Sequence, residues 1–277
     1  MAGRQGGRHV RGVQRVGKLL DRVPRRLFVP DVIWVRDRAG EPLAPLDRAE
    51  DPARWQQFVD ADDAVTVQVE DGSPGRWAIP YSTSSSTAPW LMEQMLEALA
   101  LEPGMKVLEI GTGTGWNAAV LADAGAAVTS VEIDPVLAAQ ARATLDRAGF
   151  DGRVQVITGD GSHGAPGQAP FDRVIVTASA HTIPYAWVQQ TRDGGRIVVP
   201  YSGEHAGGVL LVLDVTDNDS GGGGGQVAAG HAAGEGAWFM PLRGQRLPAT
   251  QLRQIPDGAA DGLKVRITPE GQYFTRP

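Results

Sequence analysis

The chain contains no cysteine, which excludes disulfide bonds, a thiol nucleophile and thiolate metal sites. No apolar run approaches the roughly 18 residues that a membrane helix needs, and the basic N-terminus lacks the apolar segment of a secretory signal. The five histidines show no metal-ligand spacing, so no metal is predicted. We therefore expect a protein of the reducing cytoplasm that has no membrane partner.

Positive charge is also scarce, because 26 Lys and Arg face 32 Asp and Glu, giving a formal net charge of −6. This balance argues against nucleic acid as a partner. The charge is uneven, with nine basic and two acidic residues in 1–36 and ten acidic and three basic residues in 37–75. The basic arm could touch an anionic partner, but a solvated or disordered tail is the favoured interpretation.

From Lys106 onward, short apolar runs alternate with helical segments. The predicted strands are Val107–Ile110, Val128–Ile133, Val154–Thr158, Arg173–Thr177 and Arg196–Val199. This alternation predicts parallel strands in a doubly wound α/β layer. After Pro200 the alternation stops. Val209–Val215 and a strand near Ala237–Met240 flank a Gly-rich loop at 217–225, which predicts an antiparallel addition at the sheet edge.

The segment Lys106–Trp116, KVLEIGTGTGW, combines the first strand of this layer with a glycine-rich turn. Glycines at alternate positions let the backbone turn sharply and approach a ligand closely. A dehydrogenase fingerprint would need glycine at position 116, where a tryptophan stands. Glu109 before the turn would repel a pyrophosphate, so the pattern favours a ligand with a cationic group.

Carboxylates stand at or just after the ends of the first three strands of this layer: Glu109, Glu132 and Asp160. S-adenosylmethionine carries an ammonium group, a sulfonium and no phosphate, and it fits this set. Glu132 can accept both ribose hydroxyls, and Asp160 lies where an adenine amino group is expected. The candidate cofactor-binding residues are Glu109, Gly111, Thr112, Gly113, Gly115, Trp116, Asn117, Glu132, Ile133, Asp160, Gly161 and Thr177.

A run of small hydroxyl side chains, YSTSSSTAP, occupies Tyr81–Pro89. It leads into a helix whose apolar face carries Leu91, Met92, Met95, Leu96 and Leu99. Serine or threonine before proline is typical of a helix cap, and a hydroxyl-rich run is also typical of a linker. Substrate contact is the second interpretation of this run.

With these motifs, the chain resembles the protein-L-isoaspartate O-methyltransferase family of class I methyltransferases. The matching segments are VPRRLFVP (23–30), TAPWLMEQM (87–95), VLEIGTGTGW (107–116), VEID (131–134), GDGSHG (159–164), APFDRVIVTA (169–178), IP (183–184), GGRIVVP (194–200) and FMPLRG (239–244). The resemblance implies a Rossmann-like, seven-stranded mixed sheet with an antiparallel C-terminal hairpin. It also implies S-adenosylmethionine as cofactor and a peptide or protein substrate with an Asp or isoAsp carboxylate.

The resemblance divides the chain into three regions. Residues 1–80 would form a substrate-side or lid region, 81–246 the methyltransferase domain, and 247–277 a C-terminal extension. Thr87-Ala88-Pro89 stands where the family has Ser-Gln-Pro, whose serine orients the substrate carboxylate. The candidate catalytic residues are therefore Thr87, Ser86 and Ser85. Asp60-Ala61-Asp62 replaces the usual Tyr-x-Asp, and an acidic insertion occupies about 36–58.

An intact cofactor half with an altered substrate half is similar to a subgroup associated with graspetides, which are ribosomal peptides (RiPPs) macrocyclised by ATP-grasp ligases. Members of that subgroup methylate an Asp side chain, and the ester closes to an aspartimide, so a macrocyclised precursor peptide is a candidate partner. General repair of isoaspartyl proteins is one alternative. A non-catalytic S-adenosylmethionine-binding module is another.

Overall fold

The computed structural model describes residues 19–37, 41–76, 79–204, 206–217, 225–247 and 262–276. Residues 1–18 of the basic arm and most of the Gly-rich loop therefore lie outside the described residues. The strands within the described part are β1 (Val32–Val35), β2 (Ala44–Asp47), β3 (Val65–Val69), β4 (Ser82–Ser86), β5 (Lys106–Ile110), β6 (Ala127–Glu132), β7 (Val154–Thr158), β8 (Phe171–Val176), β9 (Thr191–Gly203), β10 (Ala206–Asp217), β11 (Gln226–Glu235), β12 (Lys264–Thr268) and β13 (Gly271–Thr275).

The α-helices of the same described ranges precede β5 or lie between the strands β5 to β9. The α-helices are α1 (Pro52–Asp60), α2 (Pro89–Leu99), α3 (Trp116–Asp123), α4 (Pro135–Arg147) and α5 (Tyr185–Gln189). Short 3-10 helices occupy Arg25–Leu27, Glu70–Gly72, Gly161–His163, Pro166–Gln168 and Arg243–Gln245. Among the residues that the structure describes, no helix is long and apolar enough to cross a membrane.

The larger sheet has the strand order β13-β12-β11-β10-β9-β8-β5-β6-β7. Strands β5 to β9 pair in parallel, and β10 to β13 continue the sheet antiparallel. The predicted α/β layer with an antiparallel edge is therefore confirmed. Within the described residues the sheet has two strands beyond the seven predicted, because 264–275 fold as a hairpin, β12 and β13, that pairs with β11.

The predicted strand near Ala237–Met240 is wrong, since β10 pairs instead with β11, which ends at residue 235. The sequence of β11, QVAAGHAAGE, has few of the β-branched residues that normally indicate a strand. Its glycine at 230 is required by packing, because a Cβ there would overlap the carbonyl oxygen of Val212 in β10. The close approach of two backbones, rather than side-chain pattern, selects these small residues.

Both faces of the central parallel strand β5 are buried. Along β5, Val107 packs in one apolar cluster with Met95 of α2 and Leu121 of α3. Leu108 packs in a second cluster on the other face, together with Trp187 of α5. Burial on both faces is what near-continuous apolar runs in parallel strands indicate. The two clusters fix the carboxyl ends of the strands relative to the helices that follow them.

The N-terminal sheet has the order β2-β1-β3-β4 and its own core around Ile33, Trp55 and Val59. The acidic insertion forms β2 and most of α1, which cover this core. The hydroxyl run is strand β4 rather than a linker, and it pairs with β3. The helix-cap interpretation is also wrong, because α2 is capped by Ala88 without a side-chain hydrogen bond. The hydroxyls of Ser82 and Thr83 bond to Thr66 and Gln68 of β3, so the later hydroxyls of the run are the ones left for another role.

Candidate active site

A cavity lies at the carboxyl ends of β5, β6 and β8, between the larger sheet and β4. The chain runs from β5 outward to β6 and β7, then returns to β8 on the opposite side of β5. Ligands of open α/β sheets bind at such a switch point. The residues that line the cavity are Thr83–Thr87, Met92, Ile110–Thr114, Trp116, Asn117, Val131–Ile133, Leu137, Asp160, Gly161, Thr177, Ala178, Met240–Arg243 and Arg246.

The glycine turn closes one end of this cavity in a conformation that requires glycine. Gly111, Gly113 and Gly115 have φ of +95°, +54° and +83°, all in the left-handed region. A Cβ on Gly111 would also lie 2.8 Å from the Thr177 hydroxyl oxygen. That hydroxyl donates to the carbonyl oxygens of Ile110, at 3.1 Å, and Gly111. Thr177 therefore lines the cavity and fixes the turn to the end of β8.

Glu132 lies in the cavity wall, with its carboxylate directed at the turn. One oxygen accepts from the Gly113 N–H at 2.8 Å and the other from the Asp134 N–H at 3.0 Å. Burial raises the pKa of the carboxyl, although these two hydrogen bonds oppose the shift. A carboxylate has about four acceptor sites, so about two remain free for a ligand diol. This geometry suits the role predicted for Glu132.

Glu109 does not line the cavity, and its side chain is fully buried beneath the turn with 0% exposure. Its carboxylate accepts from the Asn117 amide at 2.7 Å and from the Ser130 hydroxyl. Because Ser130 donates its proton to Glu109, the hydroxyl of Thr112 donates to Ser130 in turn. The prediction that Glu109 faces a cationic ligand group is therefore wrong. Glu109 instead braces the turn from beneath, through Asn117 and Ser130.

Gly115 also does not line the cavity. It precedes the first residue of α3, and a Cβ there would lie 3.3 Å from Leu145 of α4. The lack of a side chain at Gly115 lets α3 and α4 pack closely. The structure does not place Gly115 in the cavity, where the prediction had it contact the cofactor.

The bracing by Glu109 determines what Asn117 presents to the cavity. The Asn117 amide nitrogen is committed to Glu109, so the carbonyl oxygen of the same side chain points away from it. That oxygen is buried and has no hydrogen-bond partner among the described residues, and Asn117 lines the cavity. A buried acceptor without a partner is costly in a folded protein. We expect a cationic donor of the ligand to satisfy it.

Glutamine at position 109 is expected to flatten the pH dependence of stability. Burial raises the pKa of Glu109 from 4.5 to about 7 against hydrogen bonds from Ser130 and Asn117. The folded protein therefore holds this proton more tightly, so Glu109's contribution is full below pH 4.5 and is lost as pH rises to about 7. The window corresponds to a loss on the order of 3 kcal/mol.

Urea unfolding of Glu109→Gln across this pH range checks the prediction, with Glu102→Gln as an exposed control. An unchanged slope in Glu109→Gln would show that the carboxyl does not titrate in this window.

The opposite wall carries the predicted Asp160 and Gly161. Asp160 is exposed and accepts from the Ser162 N–H at 2.9 Å, a hydrogen bond that lowers its pKa. A Cβ on Gly161 would lie 2.5 Å from a methyl of Ile110, so only glycine lets this wall approach β5. Asp160 is therefore an ionised acceptor at the cavity edge, as its predicted role requires.

The remaining predicted cofactor residues form apolar and polar walls. Trp116 is buried, and its indole N–H donates to the Val23 carbonyl at 2.8 Å. The indole ring thereby joins the N-terminal segment to the cavity wall. Thr112 and Ile133 line the cavity as predicted.

Two arginines of the cavity wall were missed by the sequence reasoning. Arg246 makes a bidentate contact with Asp71, at 2.7 and 2.8 Å. Arg243 places one terminal nitrogen 3.1 Å from both Asp134 and Asp71, while its Nε is buried without a partner among the described residues. The FMPLRG segment was the available signal, since it resembles the family, but it carries no indication of a partner 100 or more residues away.

The three predicted catalytic residues all line the cavity from β4 and the residue after it. The Ser86 hydroxyl is buried and has no partner in the described part of the chain. Ser85 pairs with Thr66 of β3, and the Thr87 carbonyl accepts from buried Arg25 at 3.0 Å. The backbone of this segment is therefore fixed from both sides at the cavity wall.

The residues present fit S-adenosylmethionine. Asn117 supplies a buried acceptor for an ammonium group, Glu132 free acceptor sites for a ribose diol, and Asp160 an acceptor for an adenine amino group. The turn that would cradle a phosphate instead receives the carboxylate of Glu132 on the Gly113 N–H. An anion already occupies that donor, which disfavours a nucleotide phosphate there.

Comparison with known proteins agrees with this geometry. The sequence profile of the family described as Protein-L-isoaspartate(D-aspartate) O-methyltransferase (PCMT) matches residues 35–220. The protein-L-isoaspartate O-methyltransferase of Hyperthermus butylicus is 42% identical over 214 residues, which cover 74% of this chain and 74% of the relative.

Solved structures share the fold at lower identity. One described as protein-L-isoaspartate O-methyltransferase has a TM-score of 0.62 at 20% identity and covers 97% of this chain and 85% of its own. A putative Plasmodium falciparum protein-L-isoaspartate O-methyltransferase, in complex with S-adenosyl-L-homocysteine, has a TM-score of 0.55 at 15% identity, covering 85% and 94%. By its sequence, the chain belongs to the protein-L-isoaspartate(D-aspartate) O-methyltransferase family, whose enzymes use S-adenosylmethionine.

Proposed function

We propose that this S-adenosylmethionine-dependent carboxyl O-methyltransferase methylates the side-chain carboxylate of an aspartate in a partner peptide. The ester then closes to an aspartimide during tailoring of a macrocyclic ribosomal peptide. Family membership supports the carboxyl methyltransferase activity. The choice of acceptor is the part that goes beyond it.

The observation that carries the proposal is a pair of buried hydrogen-bond donors without partners in the cavity wall. They are the hydroxyl of Ser86 and the Nε–H of Arg243. A carboxylate is ionised near pH 7 and accepts hydrogen bonds from both kinds of donor. Among the described residues, the cavity lining contains no histidine, lysine or tyrosine that could deprotonate a neutral acceptor. Its two carboxylates, Glu132 and Asp160, are assigned to the cofactor, so the lining suits an acceptor that needs no general base.

The chain's own residues would act by binding and positioning. When bound, S-adenosylmethionine supplies a methyl group made electrophilic by its sulfonium. Asn117, Glu132 and Asp160 would hold it, while Ser86 and Arg243 orient the acceptor. A carboxylate oxygen bonds to the methyl carbon as the carbon–sulfur bond breaks, and no proton moves. Orientation and exclusion of water in the cavity are then the main sources of rate.

The second step needs no residue of the protein. A methyl ester is a better electrophile than a carboxylate, so the next backbone amide nitrogen can attack its carbonyl carbon. The amide loses its proton, methanol leaves and a five-membered aspartimide remains. This step gives the reaction a product that mass spectrometry distinguishes from a stable ester.

The tailoring hypothesis depends on the positions at which this sequence differs from the usual pattern of the family. Thr87 stands in place of the family serine and lines the cavity. The insertion at 36–58 forms β2, which adds a strand to the sheet that carries β4, and most of α1, which packs in the core of that sheet. These changes concern the substrate side, whereas the cofactor side keeps its pattern. General repair does not require them.

General protein-L-isoaspartyl repair is the second candidate, favoured by the 42% identity to a relative of that name. Incubation with S-adenosylmethionine and matched peptides, one with Asp and one with isoAsp, separates the two. Tailoring predicts methyl gain and later methanol loss on the Asp peptide of a constrained partner, whereas repair predicts turnover of most isoAsp peptides. A protein that binds the cofactor and methylates neither would be a binding module, which would contradict the proposal.

Valine at position 87 is expected to lower turnover about tenfold while cofactor affinity stays unchanged. The substitution keeps the β-branched shape and removes the hydroxyl that helps to orient the acceptor. Steady-state kinetics and calorimetry measure the two effects. Thr66→Val is the matched control, because Thr66 lies on neighbouring β3 and does not line the cavity. Equal loss of turnover and cofactor affinity in Thr87→Val would indicate a folding role.

A further inference from the structure

A second cavity, of about 510 Å³, opens beside the active site and is not explained by the chemistry above. Its walls are the segment 26–31, the start of the turn after β2, and the outer face of α4. Small side chains such as Ala141, Ala143 and Thr144 form its floor, and Leu27 on its rim is 55% exposed. We call this cavity the arginine groove. Its volume lies in the range of ligand-binding clefts.

The charge of the arginine groove is opposite to that of the whole chain. Its titratable lining residues are Arg26, Arg48, Arg147 and Asp31. Only Arg48 pairs with the aspartate, at 3.5 Å, and it also stacks on Trp55. The groove therefore keeps two positive charges in excess, although the chain has a formal net charge of −6. Local charge of this kind favours an anionic partner.

The groove and the active site share part of their walls. Gly113, Thr114 and Leu137 line both cavities. Gly113 also lies against β4, since a Cβ there would be 3.7 Å from the Ser84 hydroxyl. A chain lying in the groove would thus reach the strand that presents Ser85 and Ser86. Arg48 belongs to the acidic insertion, so the segment that departs from the family supplies part of this wall.

We propose that the arginine groove binds an acidic stretch of the substrate peptide next to the residue that is methylated. This inference rests on the proposed peptide substrate. It adds a second recognition element, by which the enzyme selects acidic partners over neutral or basic ones. Guanidinium groups at the rim contact carboxylates, and the small side chains of the floor leave room for an extended backbone.

Fluorescence anisotropy with labelled synthetic peptides tests the proposal without turnover. One peptide has a run of glutamates beside a single acceptor residue, and the other has glutamines there; Asp and isoAsp forms of both are used. Binding is measured with S-adenosylhomocysteine present, at low and high salt. We expect the glutamate peptide to bind more tightly, and Arg26→Gln/Arg147→Gln to lose roughly tenfold in that affinity at low salt. Arg266→Gln, an exposed arginine of β12, is the control.

Thermal unfolding verifies that the double variant is folded, and Arg48→Gln offers a second variant of the same groove. Equal affinity for both peptides, or equal loss in the control, would overturn the proposal, as would the absence of binding by either peptide. Because the assay measures binding alone, a groove that selects acidic peptides stands even if no methyl is transferred. Conversely, methyl transfer without a preference for acidic peptides would contradict the binding role of the groove and would leave the carboxyl acceptor unaffected.

Discussion

Alanine at position 132 is expected to abolish S-adenosylmethionine binding, weakening it by at least about a hundredfold. Glu132 supplies the free carboxylate sites in the cavity wall that suit a ribose diol. A hydrogen bond to a charged group contributes about 1.5–3 kcal/mol, and two would be lost together. The variant also removes the anion that accepts from the Gly113 N–H, so the glycine turn loses its support.

Isothermal titration calorimetry measures the affinity, and Asp146→Ala provides a carboxylate deletion on exposed α4 surface as control. Each of the two backbone N–H groups left without an acceptor should lower the free energy of unfolding of Glu132→Ala by about 1–3 kcal/mol. Thermal unfolding therefore verifies that the variant is folded in the assay. An unchanged affinity for S-adenosylmethionine would show that Glu132 does not bind the cofactor.

Lysine at position 243 is expected to lower kcat/KM for the peptide about ten- to a hundredfold, while cofactor affinity changes little. Lysine keeps a positive charge near Asp71 and Asp134 but has no N–H at the position of the arginine Nε. That N–H is the buried donor without a partner that we assign to the acceptor carboxylate. Its loss corresponds to a hydrogen bond to a charged acceptor, about 1.5–3 kcal/mol.

Arg246→Lys is the matched control for this experiment. Arg246 lines the same cavity and contacts the same Asp71, but its bidentate pair commits its guanidinium to that aspartate. A larger effect on kcat/KM at 243 than at 246 supports the assignment. Equal effects on peptide kinetics and cofactor affinity in both variants would show that the arginines only hold the loop of Asp71 in place.

Much of the cavity lining could be predicted because the signals are local in sequence. The glycine turn requires its left-handed φ values wherever it occurs, Glu132 is the last residue of β6, and Gly161 comes three residues after β7. Parallel strands bring these positions to one sheet edge, so their proximity follows from the alternation of strands and helices. The cavity lining contains them for that reason.

Burial and long-range pairing could not be predicted in the same way. Glu109 stands one residue before a strand's end, but its spacing does not tell whether the carboxylate points into the cavity or beneath the turn. Arg246 meets Asp71 across 175 positions, a contact that no spacing rule gives. The hydroxyl run failed as a cap because its residues form β4, where pairing with β3 overrides their local preference for turns.

Locating the transferred methyl group tests whether the acceptor is a carboxylate. The protein is incubated with methyl-labelled S-adenosylmethionine and an Asp-containing partner peptide, and tandem mass spectrometry then places the label. We expect a hydroxylamine-sensitive ester on the aspartate carboxyl, followed by release of labelled methanol as the aspartimide forms. A base-stable methyl on an amine, a hydroxyl or a backbone nitrogen would contradict the claim that this cavity holds a carboxylate acceptor.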